Sequence, residues 1–320
     1  MKEIGGYLEM ELNKGPMLYE NGIRLNCGRN ALAYLLTAKD ISKIWLPYFL
    51  CDSVINVCKK YGVEIGSYHI DEQWLPKDVN LKCSDWLYIV NYYGQIGTNI
   101  LLDLADKYKR VIVDNAQAYF DAPLKGIDTI YTCRKFFGVS DGAVLFSNGD
   151  IKENISADES FNRMRFVLGR FERNAGEFYE EASKNNDFFD NEPIKWMSKL
   201  TENLLRGIDY QFVKNKRTAN FAFLHERLGV LNKLKVKLVQ GAFMYPFMVE
   251  NASEVKKELL EHKIYIPTLW PNVVRDLPHD WWEWHLANNV LPLPCDQRYG
   301  LEEMQFMTEF LLKYTRGEKA

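Results

Sequence analysis

There is no Cys-x-x-Cys pair in this chain, and its six cysteines, Cys27, Cys51, Cys58, Cys83, Cys133 and Cys295, lie apart from one another and from the five histidines. That scatter closes no zinc site and builds no disulfide framework, so no metal is expected and the thiols read as reduced and mostly buried. No apolar run approaches the roughly 18 residues that a membrane span requires, and Met1-Lys2-Glu3-Ile4-Gly5-Gly6 lacks the pattern of a secretory leader. These absences lead to the expectation of a cytoplasmic protein. An excess of charge is missing too: 40 Lys and Arg against 43 Asp and Glu leave a formal net charge of -3. Nucleic acid and anionic membrane are therefore not expected partners. Internal repeats and low-complexity segments are absent as well.

What is present is a chain of 320 residues, 47% hydrophobic and 26% charged, enough for a full core and for one large and one small domain. Residues 1–24 show no clear period and read as an N-terminal arm or edge hairpin. From Ile23 the rhythm becomes regular. A helix opens at residues 26–30 and runs through Leu36, a strand covers 43–47, and a helix covers 51–61, stopped by Gly62. Strands follow at 64–70 and 87–93. A helix over 101–108 puts Leu101, Leu104, Ala105 and Tyr108 on one face. Val111-Ile112-Val113-Asp114 is a continuous apolar run of the kind buried on both faces of a parallel sheet. This alternation predicts an α/β, doubly wound, mostly parallel sheet in a large domain over residues 25–205. Residues 151–190 carry few strand signals, and 192–228 are largely helical, with a long helix joining the two domains. Strand character at 235–250, a helix at 253–262, a strand at 264–267 and a closing helix at 301–314 make a smaller α+β domain over residues 206–320.

The stretch 128–148 contains the most informative residue. Its β-branched and aromatic run Thr129 to Cys133 breaks at Arg134-Lys135, and Gly138 and Gly142 lead back into the apolar run Ala143 to Phe146, giving strand, loop, strand. Lys135 is either an ordinary turn lysine or an amine held in a site. Asp114 ends its strand at the edge where open α/β sheets bind ligands, although an aspartate there also caps helices. Gln117 follows one helical turn later. Gly28-Arg29-Asn30 starts a helix, where free backbone N–H groups and the helix dipole favour an anion; a plain helix start reads the same way. Asn91, Tyr92 and Tyr93 end another strand at that edge, lining a pocket or filling the core. The set, in this order, meets the needs of one cofactor. Pyridoxal phosphate (PLP) requires a phosphate cradle, a carboxylate for its pyridinium nitrogen and a lysine that forms a Schiff base.

Several segments also resemble the DegT/StrS-type aminotransferases, which act on nucleotide-linked keto-sugars and share the fold type I architecture of aspartate aminotransferase. Cys27-Gly28-Arg29-Asn30-Ala31-Leu32 is similar to the family's Ser-Gly-x-x-Ala-Leu, and Ile44-Trp45-Leu46-Pro47 to its Val-Ile-x-Pro strand. Val90-Asn91-Tyr92-Tyr93-Gly94 stands where the family tends to have Val-His-x-x-Gly. Residues Val111 to Ala118 resemble Val-Ile-Glu-Asp-Ala-Ala-Gln-Ala, Thr132-Cys133-Arg134-Lys135 with Asp141-Gly142-Ala143 resembles the lysine loop and its glycines, and Leu291-Pro292-Leu293-Pro294 resembles Leu-Ser-Leu-Pro. The ordered set covers most of the chain.

The resemblance implies that Lys135 forms the internal aldimine and shuttles the proton, and that Asp114 pairs with the ring nitrogen. It implies that Gln117 lies against the ring and that the Gly28, Arg29 and Asn30 amides hold the phosphate with Thr132. It also places Asn91 at the cofactor and an aromatic from Tyr48-Phe49 over the ring. The implied activity is transfer of an amino group from glutamate or glutamine to a keto-sugar or similar carbonyl compound, by a homodimer. Two alternatives stand beside it: a PLP-dependent sugar dehydratase, whose relatives replace the lysine, and a catalytically inactive or regulatory protein on the same fold. Arg29, Arg275 and Arg298 are candidates for a donor carboxylate. The tryptophan-rich loop holding Trp270, Trp281, Trp282 and Trp284 reads more as small-domain core than as an aromatic wall over the acceptor.

Overall fold

The computed structural model describes residues 4–152 and 154–315. Its apolar runs pair into an eight-stranded sheet of β1 (Ile23–Leu25), β2 (Lys43–Pro47), β3 (Glu64–Ile70), β4 (Pro76–Lys77), β5 (Trp86–Val90), β6 (Val111–Asp114), β7 (Asp128–Thr132) and β8 (Ala143–Phe146), in the order β1-β8-β7-β6-β5-β2-β3-β4. The inner strands β7, β6, β5, β2 and β3 run parallel, and β8, β1 and β4 are antiparallel to their neighbours. Every residue of β5, β6 and β7 is buried, as required of strands covered on both faces. The connecting helices α1 (Gly28–Ala38), α2 (Asp52–Lys60) and α3 (Thr98–Tyr108) supply that cover. The α1 helix lies deepest, with Asn30 through Leu36 all buried.

After β8 come α4 (Arg165–Glu172), α5 (Tyr179–Phe188), α6 (Lys199–Arg206) and α7 (Tyr210–Leu228). The largely helical stretch expected over 192–228 holds two helices, the longer being the 19-residue α7. Gly207 caps the end of α6, and the Asp209 side chain accepts from the Phe212 N–H to start α7. The remaining chain forms β9 (Met244–Met248), α8 (Ala252–Glu261), α9 (Pro271–Asp276), α10 (Trp282–Asn289), β10 (Val290–Pro294) and α11 (Leu301–Thr315), with β9 and β10 antiparallel.

Three expectations are corrected. The strand over 87–93 stops at Val90, because Asn91 turns the chain: its Oδ1 accepts from Ile96 N–H at 3.0 Å, and Tyr93 and Gly94 take positive φ. Residues 264–267 form no strand; Ile264 N–H is spent on Leu259 C=O at 2.8 Å, closing the end of α8. The tryptophan-rich stretch is not all loop: Trp282 and Trp284 lie in α10, and Trp270 and Trp281 are the N-caps of α9 and α10.

Two apolar cores result. The second gathers Phe221 and Leu224 of α7, Tyr245 and Phe247 of β9, Leu291 and Leu293 of β10, and Met304, Met307 and Leu311 of α11. Trp270 belongs to the other core, that of the sheet, against the expected small-domain role: its ring sits 4.2 Å from Phe49 and 5.7 Å from Tyr92. Buried Glu283 explains the attachment. Its carboxylate accepts from Ile70 N–H at 2.8 Å and faces His69, fastening α10 to β3. Among the described residues, no helix is long and apolar enough to cross a membrane.

Candidate active site

In a parallel sheet all strands end on one edge, so β2, β5, β6 and β7 deliver their last residues to the same crevice. Asp114 closes β6, in register with Val90 of β5 and Ile130 of β7. Its carboxylate is 8% exposed and evenly held: Tyr88 O–H donates to Oδ2 at 2.9 Å, and Ala116 N–H donates to Oδ1 at 2.8 Å. Burial pushes this carboxyl above its ordinary value, while Lys135 and the two donors oppose the shift.

Lys135 follows β7 in a tight loop. Phe136 and Phe137 N–H groups both bond to Cys133 C=O, at 3.0 and 2.9 Å, and Cys133 N–H bonds to Gly142 C=O at 3.0 Å. Gly142 has φ +114, and a Cβ there would meet Thr201 at 3.0 Å and Cys133 at 3.2 Å, so only glycine closes the loop. Solvent reaches the Lys135 side chain, but the surrounding protein still lowers its pKa; Asp114 and then Cys51 act to raise it, and Arg134 and Arg29 to lower it further. Its Nζ stands 5.4 Å from the Phe243 ring centroid and has no hydrogen-bond partner among the described residues. The chemistry on offer is an amine poised toward its neutral form, electrostatically tied to a buried carboxyl.

The start of α1 adjoins this pair. A Cβ built on Gly28 would lie 4.0 Å from Thr132 Cβ, which brings the helix start against the end of β7. Cys27, the N-cap, makes no side-chain capping bond, so the first-turn N–H groups of Gly28, Arg29 and Asn30 remain available. Thr132 is a buried residue, and its hydroxyl has no partner among the described residues. Nδ2 of Asn26 and Nε of Arg134 are buried donors in the same condition. Burial pushes the Arg134 guanidinium down to about 10, and its positive charge adds to that of the helix dipole. A cluster of unspent donors at a helix start suits a phosphate.

No protein-family model matches this chain, and no curated protein matches it in sequence. Solved structures do match. DesV of S. venezuelae, in complex with a ketimine intermediate, is 15% identical with a TM-score of 0.66 over 92% of this chain and 84% of that one. The sugar aminotransferase CalS13 of Micromonospora echinospora is 16% identical with a TM-score of 0.61, over 90% and 86%. NtdA of Bacillus subtilis, with bound cofactor PMP, is 15% identical with a TM-score of 0.64, over 91% and 72%. This chain has fold type I. At such identities the likeness is one of fold, and the site rests on its own geometry.

The other candidates in this fold type I chain are turned elsewhere. Arg29 sends its guanidinium to Asn186 C=O at 2.6 Å and to Asp190 at 3.3 Å, and Asn30 donates to Asn26 Oδ1 and Pro193 C=O, so from both only the backbone amide faces the cradle. Asn91, expected at the cofactor, builds its turn: it donates to Asn115 Oδ1 and Asp121 Oδ2 and accepts from Ile96. Gln117 accepts from Tyr93 N–H at 2.9 Å, bracing the same turn. Tyr48 packs on His69 at 4.7 Å and Trp281 at 4.9 Å, and Phe49 is buried beside Trp270. Of that turn, Cys51 is the side chain whose charge would act on Lys135, and its thiol lies 2.9 Å from Ser53 Oγ. Arg298 pairs with Asp296 at 2.6 Å, and Arg275 pairs with Asp276 at 2.6 Å.

Two contributors escaped the sequence reading. Cys51 stands at the α2 N-cap, two residues past the aromatic pair that drew attention. Arg217 is 2% exposed and ties the lysine loop to β9: it donates to Phe136 C=O at 3.2 Å, Ala242 C=O at 2.8 Å and Gln297 Oε1 at 2.8 Å, while Gln297 donates to Phe136 C=O at 2.7 Å. Its signal was present, since Val213, Arg217, Phe221 and Leu224 share one helical stripe and an arginine inside a core stripe must be paired. Arg217→Met fills similar space without donors and leaves buried carbonyls unmet. Urea denaturation should show a loss of about 3 kcal/mol of unfolding free energy.

Proposed function

We propose that this chain is a cytoplasmic, PLP-dependent aminotransferase that takes an amino group from glutamate or glutamine. Its acceptor is a keto-sugar, nucleotide-linked in the class that the resemblance favours, or a similar carbonyl compound. The observation that carries the reading is that the Lys135 amine and the buried Asp114 carboxyl come to one sheet edge, close enough to act on each other's charge, beside an uncapped helix start. The residues fit the cofactor: unspent donors for a phosphate, a carboxylate for a ring nitrogen and an amine for an aldehyde. When bound, pyridoxal phosphate supplies an electron sink for the carbon that bears the amino group.

The chain's own residues do the rest. The Gly28, Arg29 and Asn30 amides and the Thr132 hydroxyl hold the phosphate, and Arg134 adds positive charge behind them. Asp114, its orientation fixed by Tyr88 and Ala116, would offer its carboxylate to the ring nitrogen. Lys135 Nζ would hold the cofactor's aldehyde carbon and would serve as general base and acid for the proton of the substrate. Phe243 shields one side of Nζ from water. The sheet with its covering helices is the cofactor-binding unit, and α7, β9, β10 and α11 build the smaller core. The three arginines considered for a donor carboxylate are each engaged within the chain, which supports a homodimer whose second copy meets that carboxylate.

The test is spectroscopic. Adding pyridoxal phosphate to the purified protein should produce a visible absorption band that bleaches with glutamate or glutamine. A protein that stays colourless and takes up no cofactor overturns the reading and leaves a binding or regulatory protein on this fold.

A further inference from the structure

The N-terminal arm has a fixed root and an uncovered tip. At the root, Asn13 N–H donates to Asn203 Oδ1 at 2.7 Å, Asn13 Nδ2 donates to Asn203 C=O at 2.9 Å, and Asn203 Nδ2 donates to Glu11 C=O at 2.9 Å, clamping the arm to α6. Before the root, residues 4–12 belong to no helix or strand. Their apolar side chains face water: Tyr7 is 99% exposed, Leu8 91% and Leu12 75%. The order Leu8-Glu9-Met10-Glu11-Leu12 alternates, so laid as a strand it puts three apolar groups on one face, spanning about 13 Å, and two carboxylates on the other. Contiguous exposed apolar side chains of this kind mark a contact surface.

The complementary surface lies elsewhere on the molecule. A groove of about 630 Å³ opens between the α4–α5 segment and the second core, walled by Phe166, Phe178, Tyr179, Tyr265, Phe306 and Met307. Of the charged residues lining it, Arg298 is consumed by Asp296, and the Glu303 carboxylate accepts from Gly300 N–H at 2.7 Å. Arg170 and Lys263 also line it and make no ion pair among the described residues. The groove is therefore apolar within and positively charged overall, matching an apolar strip that carries Glu9 and Glu11. In its own chain the arm stands clear of this groove, as its exposure requires.

We propose that the arm of one copy lies in the groove of a second copy, with Leu8, Met10 and Leu12 inside and Glu9 and Glu11 toward Arg170 and Lys263. The contact rests on the pairing of copies proposed above but not on the cofactor. It is the extended-segment mode of recognition, in which alternate side chains enter pockets.

Cross-linking between differently tagged chains tests it. In a Cys83→Ser background, which removes the exposed thiol, one chain carries Met10→Cys and the other Phe306→Cys, both at exposed positions. Mild oxidation should join the two tags through residues 10 and 306, at least about tenfold more than with Leu102→Cys in place of Phe306→Cys, as read by non-reducing gel and peptide mapping. Adding Leu8→Asp and Leu12→Asp should lower the yield about tenfold while leaving the urea midpoint unchanged, because both side chains are exposed in their own chain. A yield no higher than the Leu102 control overturns the proposal. So does a link formed within single chains that carry both cysteines. Sedimentation of the parent separates the two readings: a dimer without the 10–306 link overturns only the arm contact, and a monomer overturns the pairing as well.

Discussion

Lys135→Ala should abolish the visible band formed with pyridoxal phosphate and lower amino transfer by at least about 10⁴-fold, the upper range for removing a positioned acid–base group that is also the nucleophile. The variant should fold as the parent does. Lys135 makes no side-chain hydrogen bond among the described residues, and the loop is held by its own backbone, by Gly142 and by Arg217. The urea midpoint should therefore stay put while the activity disappears, a split that a structural lysine would not give. Burial also makes the amine lose its proton at a lower pH than a free lysine, whose value is 10.5, so cofactor attachment should titrate below that pH. A variant that keeps the band would assign the chemistry to another amine.

Asp114→Asn should lower kcat by about 10³-fold, about 4 kcal/mol of transition-state stabilisation, because the amide keeps the shape but not the charge that holds a proton on a ring nitrogen. Stability should move the other way. The folded carboxyl has a raised pKa, so its contribution is full below the unfolded value and is lost as pH rises through the folded one. At neutral pH the ionised group carries a desolvation penalty that asparagine removes, and Tyr88 O–H can turn to accept from the new amide. Denaturation at pH 7 should find the variant as stable as the parent or more so. A large loss of stability with unchanged kcat would make Asp114 a structural residue.

The α/β order, the parallel inner strands and the bounds of β2, β3, β6 and β8 were legible in sequence. Strands buried on both faces must be continuous apolar runs, and polar turns must separate them. The same rule placed Asp114 at a strand end and Lys135 in a loop between strands. It did not place Asn91, whose three hydrogen bonds reach residues 5, 24 and 30 positions away. Nor did it show that Tyr48 turns to Trp281, more than two hundred residues on.

The sequence by itself determined most of the strands and helices of the sheet, because their periodicity answers to local burial, and it singled out Lys135 and Asp114 as candidate groups. Which of those groups meet was left to the folded chain. Arg217 reaches the lysine loop from α7, α10 docks on β3 through Glu283, and the arm stays uncovered while a groove opens elsewhere. Each depends on contacts between residues far apart in the chain, and no local pattern of hydrophobicity records such pairings.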